Sequence, residues 1–136
     1  MRKTAQVSME YLIIVGFVTF VVICILGIAL IYSGAIKDRI KMTQLNNFAN
    51  KIISTSESVF YAGAPSKATI SVYLPENVYE ILISENSLII SIQTSTGKDK
   101  TAFSSSVPIS GSIDTSSGLK KIKIEAEENN IVISLD

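Results

Sequence analysis

The chain has 136 residues, room for one small domain or for one helix plus a small domain. Twelve basic residues balance twelve acidic ones, leaving a formal net charge of zero and a pI of about 6.3, so no basic footprint points to nucleic acid. With no histidine and a single cysteine, Cys24, the chain lacks the commonest general base and metal ligand, and it cannot close an intrachain disulfide.

The composition is 47% hydrophobic, with a mean hydropathy of +0.39, and the excess sits at one end. From Tyr11 to Ile36 run 26 uncharged residues without a proline. A helix rising about 1.5 Å per residue needs roughly 20 apolar residues to cross the bilayer core. The stretch 11–36 therefore reads as a transmembrane segment. An ordinary cleaved signal is the alternative, since Arg2 and Lys3 give a basic start and Ser33-Gly34-Ala35 offers a cut after Ala35. Such signals have apolar cores of only about 7–15 residues. Basic residues flank both ends, Arg2 and Lys3 before and Lys37, Arg39 and Lys41 after, so they do not orient the span.

Glu10 stands at the mouth of this run. An unpaired acid at mid-membrane costs about 2.5–3.5 kcal/mol on insertion scales, and less near the interface. A cut between Ala5 and Gln6 would keep the apolar segment and create an α-amine on Gln6, one helical turn from Glu10. Glu10 could then pair with the amine of a neighbouring copy. Alternatively it is an interfacial acid near a helix start, favoured by the helix dipole and meeting no partner.

The run Gln6-Val7-Ser8-Met9-Glu10-Tyr11-Leu12, behind a short basic leader ending in Ala5, resembles the Q-x-S-x-E-Y-L signature of class III signal peptides in archaeal type IV pilins. Gln6, Ser8, Glu10, Tyr11 and Leu12 carry that resemblance. It implies that a prepilin peptidase removes residues 1–5 and that Gln6 becomes the mature start. It also implies that Glu10 guides assembly into a helical filament of copies or related pilins. The expected location is the cell membrane for the precursor, then an extracellular pilus at the cell surface.

No proline precedes Pro65, so the helix is expected from about residue 6 to residue 62, roughly 80–85 Å at 1.5 Å per residue. Its first half is apolar all round. Its second half is amphipathic, with Ile36, Ile40, Leu45, Phe48, Ile52, Val59 and Phe60 at three- and four-residue steps. Gly16, Gly27 and Gly34 fall within about 20° of one line at 100° per residue. They read either as an assembly stripe where helix backbones approach closely or simply as the glycine that is frequent in membrane helices. Cys24 reads as plain packing.

From Pro65 the period becomes two. Ile70, Val72 and Leu74 alternate with Ser71 and Tyr73, and Ile122, Ile124 and Ala126 alternate with Lys121, Lys123 and Glu125. Ile81-Leu82-Ile83, Leu88-Ile89-Ile90 with Ile92, and Ile131-Val132-Ile133 with Leu135 read as more central strands. Turn signals stand at Glu85-Asn86, Thr96-Gly97, Ser117-Gly118 and Asn129-Asn130. The expectation is an α+β chain: a long N-terminal helix, apolar then amphipathic, and a small mainly antiparallel head over 63–136 with about six strands. A head that small needs extra apolar cover, which the stripe over residues 40–60 should supply. Seven serines between Ser104 and Gly118 read as an exposed edge or long loop, open to O-glycosylation or adhesion.

Catalysis has little to stand on. The serines lack a histidine base, the acids are scattered, and no phosphate loop or Cys/His metal spacing occurs. Glu125, Glu127 and Glu128 suit a charged surface turn better than a calcium site. No enzyme, cofactor or metal is expected, and no nucleic-acid partner. A monomeric single-pass surface protein with a binding head remains the alternative to a filament subunit.

Overall fold

The computed structural model describes residues 3–136, with side chains from Ser8 onward. The fold is α+β. One helix, α1, covers Lys3–Ala62 and is followed by seven strands. Gly63 ends the helix: its φ of +80° is open to glycine without penalty, and its N–H donates to the Phe60 carbonyl at 3.0 Å. Pro65 then bars any continuation.

The chain divides into two compact units, one ending at Lys37 and the other covering Asp38–Asp136. The boundary thus falls inside the helix rather than at its end near residue 62. In the second unit, β1 (Lys67–Leu74), β6 (Gly118–Ala126), β7 (Ile131–Leu135) and β5 (Ile109–Gly111) form a four-stranded sheet in the order β1-β6-β7-β5. A second sheet is the antiparallel meander β2 (Val78–Ser84), β3 (Ser87–Thr94) and β4 (Gly97–Ser104). Only the β5–β7 pair is parallel among the described ladders.

One core joins these elements. From the helix come Leu45, Phe48, Ala49, Ile52, Ile53 and Val59, spaced so that they share one face. From the four-stranded sheet come Val72, Leu74, Ile122, Ile124, Ile131 and Ile133; from the meander come Leu88, Ile90 and Ile92. The amphipathic half of α1 is therefore part of the head's core, as its apolar stripe requires. The stripe is shorter than expected. Ile36 and Ile40 are 55% and 53% exposed, so burial begins near Met42 and Leu45.

Other differences have physical reasons. The strand β4, Gly-Lys-Asp-Lys-Thr-Ala-Phe-Ser, carries too few apolar residues to read as a strand, because it is an edge that buries little. The apolar run of β2 is not central: β2 borders its sheet, and Leu82 faces outward at 45% exposure. The serine-rich stretch is not simply a solvated loop. It contains β5, and Val107, Ile109 and Ile113 are buried in it. Ser105 is buried too, its hydroxyl donating to the Val107 carbonyl at 2.8 Å. Within β5, Gly111 has φ +127°, and a Cβ there would overlap the Ile133 carbonyl, so only glycine lets this strand lie against β7.

On the outer face of the four-stranded sheet, the Glu125 carboxylate forms ion pairs with Lys67 at 2.6 Å and Lys123 at 2.8 Å. These lysines, Lys123 foremost, hold its carboxyl down at about 2, against 4.5 ordinarily. A carboxyl lowered in the folded state stabilises the fold above its unfolded value and loses that contribution as pH falls. Between about pH 4.5 and 2 the wild type should therefore lose thermal stability more steeply than Glu125→Gln. Melting midpoints taken across that range check this, and superimposable profiles would contradict it.

Candidate functional site

Nineteen large apolar side chains between Met9 and Ile36 stand exposed, and Leu30 and Ile31 reach 77%. Soluble monomers rarely expose contiguous apolar patches beyond a few hundred Å². At about 25 cal/mol per Å² such a surface is strongly driven out of water. The helix is long and apolar enough to cross a membrane, and none of its most apolar window is covered by the rest of the chain. These features support membrane association. The one polar hydroxyl near the middle is satisfied locally: Thr19 donates to the Val15 carbonyl at 2.8 Å.

Ser8, Glu10, Tyr11 and Leu12 follow one another along the exposed helix surface. The side chains of Ala5 and Gln6, the expected cleavage pair, lie outside the described residues, as do Met1 and Arg2 of the expected leader. Glu10 is exposed one position before the apolar run. At 100° per residue the line through Gly16, Gly27 and Gly34 lies about 100–120° round the helix from Glu10. The two expected assembly features thus sit on different faces. A Cβ at any of these three glycines would meet nothing within 4 Å, so nothing in this chain's own packing requires them to be small. Cys24 is exposed on the same surface.

Searches for related proteins found no matching family model, no matching curated protein and no matching solved structure.

Two tyrosines add to the apolar surface. Tyr11 and Tyr32, both exposed, are 21 positions apart, about 31 Å along a helix. That is close to the roughly 30 Å hydrocarbon thickness, a spacing that would set an aromatic ring at either boundary of a bilayer. The spacing was legible in the sequence once the span was drawn.

In the head, the helix and loops are tied by carboxylates. Asp38 accepts from the Ser95 backbone N–H at 3.0 Å and from the Ser95 hydroxyl, and these bonds hold its carboxyl below the usual range. Glu57 accepts from the Ser106 N–H at 3.0 Å. Each fixes a turn against the amphipathic half of α1. Lys120 is the residue that sequence reasoning missed. It occupies an inward position of β6 and is 8% exposed. Its ammonium donates to Ser116 at 2.8 Å and meets Asp114 at 3.2 Å, which closes the 112–117 loop over it. The signal was present: Lys120 holds the place of an apolar residue in the alternation with Ile122 and Ile124. Glu125 is committed to its lysines, while Glu127 and Glu128 are exposed in the β6–β7 turn. Among the described residues no group of three or more metal-ligating side chains converges.

Proposed function

We propose that the chain is a pilin-like structural subunit of an extracellular archaeal type IV pilus. It is made as a membrane-anchored precursor and cut between Ala5 and Gln6 by a prepilin peptidase. It then assembles with its own copies or related pilins through the apolar helix. One observation carries this reading: the Gln6–Leu12 motif lies directly ahead of an apolar helix surface that the rest of the chain leaves uncovered.

Lipid covers that surface before assembly, and neighbouring helices cover it afterwards. The Gln6 α-amine of one copy meets Glu10 of the next, which neutralises the acid and fixes the axial stagger. Gly16, Gly27 and Gly34 supply a second face where a neighbouring backbone comes close. With Glu10 and the glycines on different sides of the helix, each subunit engages more than one neighbour. The head stays outside the bundle.

A second reading is favoured by a different observation. The core of residues 38–136 closes without any partner, which suits a single-pass surface protein whose head never polymerises. The mature start separates the readings. Intact mass and N-terminal sequencing of the native molecule should find Gln6 for the subunit. Met1 would mean an uncut anchor, and Ile36 a secreted head; either result contradicts the proposal.

A further inference from the structure

On α1, Gln44, Asn47, Phe48 and Lys51 recur at i, i+3, i+4 and i+7 and so share one face. Together with Ser71, Val72 and Tyr73 of β1 they line an open cleft of about 360 Å³. Its floor is apolar, made by Phe48 and Val72, which are 1% and 7% exposed. Its rim is polar. Asn47, Lys51 and Ser71 are exposed there, and Tyr73 shows nearly half its surface. Because β1 is an edge of its sheet, alternate peptide groups on this side also lack a neighbouring strand.

We infer that this cleft binds an acidic saccharide. No carboxylate lines it, and Lys51 has no ion-pair partner among the described residues, so the one formal charge at the rim is positive. The Lys51 ammonium receives the sugar carboxylate. The carboxamides of Gln44 and Asn47 each donate and accept, as adjacent ring hydroxyls do, and the Ser71 hydroxyl does the same. The Tyr73 ring, exposed at the rim, offers an apolar face for the C–H side of a pyranose. The volume lies at the small end of ligand clefts, which run from about 300 to 1,000 Å³, and so fits the terminal one or two sugars of a chain. The inference concerns the head alone and does not rest on polymerisation.

The test uses the full chain in detergent micelles, with digalacturonate as probe and cellobiose as its neutral counterpart. Saturation-transfer NMR and titration should detect digalacturonate binding, with shifts confined to amides 44–51 and 71–73. Lys51→Gln should weaken it about tenfold, the loss expected for one charged hydrogen bond. Tyr73→Ala should weaken both sugars, and Lys98→Gln, outside the cleft, should change neither. The inference is overturned if digalacturonate receives no transfer, if cellobiose binds equally well, or if Lys51→Gln has no effect. Tighter binding of a short acidic peptide than of the sugar would overturn it as well.

Discussion

Glu10→Val is expected to leave the head folded and the chain inserted in the membrane, yet to abolish filaments or assemble them out of register. The physical case rests on opposite signs in two environments. In lipid, removing an unpaired carboxylate favours the helix by up to about 2.5–3.5 kcal/mol, less near the interface, so membrane insertion should be unchanged or better. In a bundle of helices, the same substitution strands the α-amine of a neighbouring copy in an apolar surrounding, where an uncompensated charge is costly. Glu10→Gln separates charge from hydrogen bonding. It should retain some assembly at reduced yield, because a neutral amide can still accept one bond from the amine. Filament yield by sedimentation and microscopy, alongside membrane fractionation, reads both effects. Normal filaments from Glu10→Val would defeat the pairing.

Phe48→Ala is expected to cost about 3–5 kcal/mol, the range for emptying a large aromatic site in a core. Small domains hold only about 5–15 kcal/mol in all, so such a loss would leave the head largely unstable. Phe48 is 1% exposed and comes from the helix, not from the sheets. The substitution therefore asks whether the second half of α1 is part of the head's fold or merely leads to it. Ile40→Ala is the matched control. At 53% exposure it lies outside the core, and surface changes of that kind stay within about 0.5 kcal/mol. Denaturant unfolding of the full chain in micelles measures both. Equal stability of the two variants would remove the amphipathic half from the folding unit.

Much of the fold was legible because its elements obey simple periods. The apolar run and its lack of proline gave the helix; alternation around Ile70 to Leu74 and Ile122 to Ala126 gave β1 and β6 in their observed places. What the pattern missed lies where burial is one-sided or borrowed. The strand β4 escapes notice because an edge strand is held by its ladder to β3, with little apolar content of its own. The strand β5 has three residues, too few for any period, and depends on Gly111 fitting against Ile133. Ile40 follows the helical spacing of its neighbours but lies before the point where burial begins, and spacing alone does not show where packing starts. Lys120 broke the alternation of β6 visibly, yet only the folded loop shows Asp114 and Ser116 meeting it. For the candidate assembly surface, position along the chain was readable from the residues. The angular separation of Glu10 from the glycine line needed only the helix itself.

The most direct test of the filament reading is electron microscopy of filaments sheared from cells that make this protein. The density should show the α-helices at the centre and β heads outside, with the side-chain order Gln6 to Leu12 beginning the helix and Glu10 against the terminal amine of an adjacent copy. Filaments with another side-chain order in that position, or only solitary membrane-bound particles still carrying Met1 to Ala5, would contradict it.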